Sequence, residues 1–277
     1  RSINSRYLIK PLEHHLLKSP NPRLDNQIAS IVFDDGYKDF KEYALPILQK
    51  CNIPASMYVV TQAVGQGIPP WTYRFDQTIA QSKSKTLELR LAENQKKFKI
   101  KNLKEKLECA RQLKPILKKL SHQERKLRLE TIEAQLGVPQ ISKDLFMNWD
   151  DLKDIHKCGV MIGSHTHTHP LLERIENVDL IKEECYRSKM LIEANIQVEV
   201  TTLSYPNGSY NQRVKELAKN MGYRLGLAVF QESYDPSKHD LFSIPRIELY
   251  QESMLKTRMR MNESLQKVKK IKNSFKY

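Results

Sequence analysis

The run Ile-Ala-Ser-Ile-Val-Phe at positions 28–33, followed at once by Asp-Asp-Gly, constrains the fold of this 277-residue chain more than any other segment. A short, β-branched and aromatic run closed by a turn signal reads as a buried strand. The same unit then recurs. Residues 40–50 have helical spacing, with Pro46 marking a bend or a late start. Asn52-Ile53-Pro54 makes a turn, and 56–60 is the next strand. Later come a short helix at 150–157 stopped by Gly159, a strand at 160–163, a helix at 178–194 and a strand at 201–205. A helix at 212–221 closed by Gly222, a strand at 223–229 and a last strand at 241–249 complete the series, the last interrupted by Pro245 as at an edge or bulge. Strands alternating with helices imply parallel βαβ units in an open sheet or a barrel.

Residues 72–148 break this rhythm. They show no clear strand and are dense in Lys, Glu, Leu and Gln, so they read as a helical insertion within a single domain spanning 1–277. The formal charge of +14 is concentrated there and at the end of the chain. Between positions 83 and 130 there are 16 Lys or Arg against six Glu, a local balance of +10. Residues 251–277, read as a basic C-terminal helix, hold eight against two, or +6. The remainder is close to neutral. Such basic segments suit an anionic surface, either membrane phosphates or a pyrophosphate-linked glycan. They lack the interleaved aromatics and glycines that stack bases, so no specific nucleic-acid partner is expected despite a pI near 9.5.

The four cysteines are widely separated and form no CxxC pair, which argues against a zinc ribbon or a disulfide framework. Cys51 and Cys158, each at the end of an apparent helix, read as small buried apolar residues in a reducing compartment. No apolar run approaches the roughly 20 residues that cross a bilayer. The expected location is cytoplasmic or peripheral to the membrane, with a start at Arg1 that suggests trimming.

Three segments carry chemistry, each at or just after the C-terminal end of a predicted strand, where parallel α/β folds place active sites. In Asp34-Asp35-Gly36, adjacent carboxylates diverge as the strand ends, so one can ligate a metal while the other takes a proton from water. In His165-Thr166-His167-Thr168-His169-Pro170, three histidines fall in five residues. His165 and His169, four apart, would share one face of a helical turn, and His167 would point away. Two imidazoles and a carboxylate suit a divalent metal, Zn2+ above all. The third segment, Tyr205-Pro206-Asn207-Gly208, taken alone reads as a Pro-Asn-Gly turn after a strand, with Asn211 capping the next helix; its functional alternative is a pocket wall with a backbone N–H near Asn207 aimed at a developing oxyanion.

Together these segments resemble the polysaccharide deacetylase family (carbohydrate esterase family 4, the NodB homology domain). Its signature is an apolar strand ending in Thr-Phe-Asp-Asp-Gly, then His-[Ser/Thr]-x-x-His-Pro, then an aromatic/Pro/Gly loop. Val32 replaces the usual Thr. The phrases Ala44-Leu45-Pro46-Ile47-Leu48 and Trp149-Asp150-Asp151-Leu152 are similar too, and the resemblance covers about 26–65 and 145–250. It implies a distorted (β/α)7 barrel, here with a helical insertion. The implied activity is metal-dependent hydrolysis of N-acetyl groups on N-acetylated sugars or glycans. By the same resemblance Asp34 is the general base, Asp35, His165 and His169 are the metal ligands, and the metal polarises water and the acetyl carbonyl. Tyr205 and Arg246 are expected at the substrate. The alternatives are a same-fold amidase acting on another C–N amide, and a catalytically idle glycan- or polyanion-binding module.

The pattern departs in two places. Many members supply the acid for the leaving amine from a Leu-x-His motif on a late strand, where this chain reads Ile244-Pro245-Arg246-Ile247-Glu248. His239, beside Asp240, is the acid the chain offers instead. Ser204 stands where many members carry an arginine, and Arg246 is the substitute available to orient Asp34 or bind substrate.

Overall fold

In the computed structural model, which describes residues 7–17, 28–91, 94–142, 144–262 and 264, the apolar run at 28–33 divides at Ser30. Ile28–Ala29 (β2) pairs in parallel with Leu8–Ile9 (β1), and Ile31–Asp35 (β3) begins the main sheet. Beyond β3 come Ala55–Val59 (β4) and the antiparallel hairpin Thr86–Leu91 (β5) and Asn94–Lys99 (β6). Met161–Ser164 (β7), Thr202–Ser204 (β8) and Leu225–Leu227 (β9) follow. The order β3-β4-β7-β8-β9 is parallel throughout, so the C-terminal ends of these strands form one rim. The sheet curls as a half-barrel of the distorted (β/α)7 type, the α/β class that the alternation predicts.

The helices in chain order are Leu12–Leu17 (α1), Leu45–Lys50 (α2), Thr61–Gln66 (α3), Trp71–Gln81 (α4), Leu103–Lys119 (α5) and His122–Leu136 (α6). Trp149–Lys157 (α7), Val178–Ile196 (α8), Gln212–Asn220 (α9) and Met254–Met261 (α10) follow. A π turn, Phe40–Ala44, leads into α2, and Pro46 sits in the first turn of that helix, where its missing N–H leaves no bond unmade. Asn148 opens α7 with a capping box closed by Asp151, and Asn211 caps α9 as expected.

Period-two alternation divides the side chains of the sheet. Met57 and Val59 face outward into the main core with Leu152, Ile155, Ile181 and Ile192 of the surrounding helices. Tyr58 faces inward with Leu225, Leu227 and Ile244, and Leu12 and Leu16 of α1 join it there. The same helix brings Glu13 inside the curl. Its buried carboxylate accepts hydrogen bonds from Ser56 Oγ (2.9 Å), Tyr58 OH (2.9 Å) and Thr202 Oγ1 (3.0 Å), from two strands. A buried hydroxyl that loses its acceptor costs about 1–3 kcal/mol. Glu13→Ala is therefore expected to lower unfolding free energy by more than about 2 kcal/mol, read from denaturant midpoints. A midpoint unchanged from the parent would show that α1 does not brace the sheet.

Several expectations need correction. The stretch 72–148 is not purely helical. Besides α4, α5 and α6 it holds the β5–β6 hairpin, and these elements enclose their own core of Phe75, Ile79, Leu87, Leu89, Phe98, Leu113, Leu117 and Ile132. The last strand, 241–249, is reduced to a single bridge between Ile244 and Leu227. Pro245 has no N–H to extend it. Of the basic helix expected over 251–277, the described residues form only Met254–Met261 (α10), and positions 263 and 265–277 lie outside the described residues. Cys158 is exposed and Cys51 half-buried, so neither is a core residue, whereas Cys109 and Cys185 are buried. No helix among the described residues is long and apolar enough to cross a membrane.

Candidate active site

Two loops at the rim bring the acidic and histidine segments together, and both turn through left-handed backbone. Six described non-glycine residues have positive φ; three of them are Asp35 (74°), Thr166 (68°) and His169 (62°). Such conformations cost about 1–3 kcal/mol each and persist only where neighbours hold them. Here Val60 N–H donates to Asp35 O, His169 N–H to Thr166 Oγ1 (3.1 Å), and Thr61 and Gln62 N–H to the carbonyls of Thr166 and His167. The histidine segment is thus an irregular loop, correcting the helical turn expected for it. The rings of His165 and His169 still meet edge to face, 4.8 Å between centroids.

His165 Nε2 and His169 Nε2 each lie 3.6 Å from Asp35 Oδ1. That is too long for hydrogen bonds, and Asp35 Oδ1 is buried with no hydrogen-bond partner. The donor atoms of the three residues all fall within 4.8 Å of one another. Ligands held at about 2.1 Å by one tetrahedral ion stand roughly 3.4 Å apart, so this set fits a divalent cation. The tautomer of His165 agrees. Its Nδ1 lies 2.7 Å from Ser204 O, a carbonyl that can only accept, so Nδ1 carries the proton and Nε2 keeps a lone pair toward Asp35. Burial pushes the His169 imidazole well below the ordinary histidine range, which keeps it neutral, and burial raises the Asp35 carboxyl.

Asp34 has different neighbours. Arg246 Nη1 donates to its Oδ2 at 2.8 Å and Ser204 Oγ to its Oδ1 at 3.1 Å. Burial pushes this carboxyl up, but the Arg246 guanidinium, His165 and the two hydrogen bonds outweigh it and hold it below the usual carboxylate range. The two adjacent acids are therefore driven apart. Asp34 is an ionised acceptor, and Asp35 is an unpaired donor atom facing two imidazoles.

The family model described as "Polysaccharide deacetylase" matches residues 21–226. The chain belongs to the polysaccharide deacetylase family. Among solved structures it is similar to the Streptococcus pyogenes deacetylase PplD in complex with acetate, at 18% identity and TM-score 0.56 over 95% of this chain and 80% of that one. A de-N-acetylase from Aggregatibacter actinomycetemcomitans is similar at 17% identity and TM-score 0.55, over 93% and 84%. At these identities the likeness is one of fold. No curated protein sequence matches this chain.

The remaining motif residues of the family pattern are placed as follows. Asn207 is exposed in the turn Pro206–Gly208, with φ of 54°. Tyr205, expected at the substrate, is fully buried. Its ring stacks on Tyr210 at 4.9 Å and its hydroxyl donates to Phe242 O, so the side chain is part of the core. Arg246, also expected at the substrate, spends its guanidinium on Asp34 and on Ala228 O (3.1 Å). His239 is not brought to the cluster. Its Nδ1 accepts from Asp235 N–H, its Nε2 lies 3.2 Å from Glu232 Oε1, and its ring stacks near Tyr234. His167 turns away from the cluster onto Thr61 Oγ1 at 2.9 Å.

Sequence reasoning missed Glu184. This buried residue of α8 accepts from His167 N–H (3.1 Å), Thr168 N–H (2.7 Å) and Thr168 Oγ1 (2.6 Å), fixing the middle of the histidine loop. Nothing near it in sequence signals this, because it is an ordinary helix-forming Glu at a buried helical position. Glu184→Ala strands buried donors, each worth about 1–3 kcal/mol, and frees the loop. Metal affinity is expected to fall about 10–100-fold, as for other residues that orient ligands. Isothermal titration with Zn2+ checks it, and unchanged affinity would remove Glu184 from the site.

Proposed function

We propose that this chain is a divalent-metal-dependent hydrolase that removes N-acetyl groups from N-acetylated glycans. Asp35, His165 and His169 hold the metal and Asp34 is the general base. The observation that carries this reading is the convergence of those three donors beside a carboxylate kept ionised by Arg246. Zn2+ suits two imidazoles and one carboxylate. When bound, the ion supplies Lewis acidity to the acetyl carbonyl and to the attacking water. Asp34 accepts the proton of that water, while Arg246 and Ser204 fix the direction of its lone pairs. The exposed turn at Asn207 offers a backbone N–H to the developing oxyanion. With His239 engaged by Glu232 and Asp235, the protonated Asp34 is the group placed to return the proton to the leaving nitrogen. Arg246 thereby orients the base rather than binding sugar.

The basic helices extend the reading to partners: an anionic membrane surface or a pyrophosphate-linked glycan, at a cytoplasmic or membrane-peripheral location, with no specific nucleic acid. The test is acetate release from N-acetylhexosamine oligomers and lipid-linked N-acetyl sugars by the Zn2+-loaded protein, with a chelated control. Chelator-sensitive acetate is the expected result. Stoichiometric metal with no acetate from any glycan would favour the idle binding module, and release from a non-sugar amide alone would favour the other amidase.

A further inference from the structure

The insertion carries buried polar groups that the proposed reaction does not use. Arg125 of α6 is only 2% exposed. Its Nη1 donates to Leu120 O at 3.3 Å, its Nη2 is buried without a partner, and its guanidinium carbon lies 5.2 Å from the centre of the Trp71 ring. Among the described residues no carboxylate pairs with it. Burial, with Arg174 adding to it, pulls its pKa down to about 10, so it is still a cation at neutral pH. Two more polar atoms in the same neighbourhood are buried and unpartnered: Trp71 Nε1 and His122 Nδ1. His122 lies three residues before Arg125 and so shares its helix face.

The indole and guanidinium N–H groups can only donate, and an imidazole nitrogen can donate when protonated. A buried cation with no counter-charge is strongly unfavourable, and what would satisfy this set is an acceptor bearing negative charge. Its place in the fold is informative. Arg174, with its Nε 3.4 Å from Glu173 Oε1, is exposed on the turn Leu172–Arg174, just beyond His169 and Pro170, and adds to the lowering of the Arg125 pKa. Tyr73 of α4, two positions after Trp71, has its ring 6.2 Å from that of Tyr37, which lies two residues beyond Asp35. The start of the insertion thus packs against the rim that carries Asp35.

We propose that Trp71, His122, Arg125 and Arg174 form an oxyanion subsite between the insertion and the rim, which takes a phosphate or carboxylate group carried by the substrate glycan. Its role in substrate choice rests on the deacetylase reading, whereas its capacity to bind an oxyanion does not. Arginine favours such groups because its planar fork matches two oxygens at once.

Two measurements on the full chain test it. The first is binding of inorganic phosphate to the metal-free protein, by titration against chloride at matched ionic strength. Phosphate is expected to bind selectively, and about tenfold more weakly in Arg125→Gln and in Arg174→Gln; the exposed position of Arg174 keeps that variant folded. Phosphate binding equal to the parent in both variants, or no preference over chloride, would overturn the site. The second compares acetate release from a phosphorylated or uronate-bearing N-acetyl oligosaccharide with a neutral one. The parent is expected to show the lower KM for the anionic glycan, and Arg174→Gln to shrink that ratio about tenfold. Equal KM values would overturn its role in substrate binding and leave free phosphate as the ligand. Selective phosphate binding with no acetate from either glycan would sustain the site while sinking the deacetylase reading.

Discussion

The His165→Ala/His169→Ala double variant is expected to retain no stoichiometric divalent metal and to release acetate about 10³–10⁵-fold more slowly than the parent. A Lewis-acidic ion contributes several kcal/mol to this class of hydrolysis, and each ~1.4 kcal/mol is a factor of ten. Removing two of three ligands leaves Asp35 alone, too few for a bound ion. The fold should survive, because both rings sit in rim loops above a sheet whose cores lie elsewhere. Elemental analysis after dialysis, with near-ultraviolet circular dichroism as the fold control, decides it. Full occupancy in the double variant would refute the site. The metal should also leave on acidification. Ligands bind deprotonated, and burial raises the Asp35 carboxyl, so protons compete there as pH falls, whereas His169 is held neutral.

Asp34→Asn should behave differently. It is expected to keep the metal and lose turnover about 10²–10⁴-fold, the usual contribution of a positioned base. Arg246 can still donate to the amide oxygen and Ser204 Oγ can accept from the amide NH2, so the side chain stays in place while its basicity is lost. The pH profile tests the same point from the other side. Burial pushes Asp34 up, but Arg246, His165 and the hydrogen bond from Ser204 together outweigh it and lower the carboxyl, so the base is ionised to unusually low pH. Activity that depends on it is lost as pH falls through that lowered value. Arg246→Leu removes the largest lowering influence, so the acid limb of kcat/KM should move to higher pH. The sign for stability is the same: a depressed carboxyl stabilises the fold above its unfolded pKa and loses that contribution as pH falls through the folded one. An acid limb unmoved in Arg246→Leu, or metal lost from Asp34→Asn as readily as from Asp35→Ala, would refute this division of labour.

Much of the fold is legible in the chain because its signals are local. Apolar runs ending in Asp34-Asp35-Gly36 and Gly163-Ser164-His165 place the strands, and caps such as Asn148 and Asn211 start the helices within four residues of the groups they satisfy. The β5–β6 hairpin was hidden although its alternation is present. Leu87, opposite Phe98, and Leu89 face the core, but the surrounding Lys, Glu and Gln are strong helix formers and mask a period of two. Pro245 marked the weakness of the last strand correctly, yet only the neighbouring β9 determines that a single bridge survives.

The site divides along the same line. Which residues can bind a metal follows from side-chain chemistry and spacing, so Asp35, His165 and His169 could be named from the chain alone. How they converge could not, because the loop takes left-handed backbone at Thr166 and His169 that only tertiary contacts hold in place. Asp34 meets Ser204 across 170 positions and Arg246 across 212, and Glu184 supports Thr168 from a helix 16 residues on. The same holds for Tyr205: its aromatic character was plain, but the packing of Tyr210 and Phe242 around it turned an expected pocket wall into core. Residue type and local period are properties of the chain itself. The partner of a carboxylate, and with it the proton it keeps or gives up, is decided by burial and distance, which exist only once the sheet has curled.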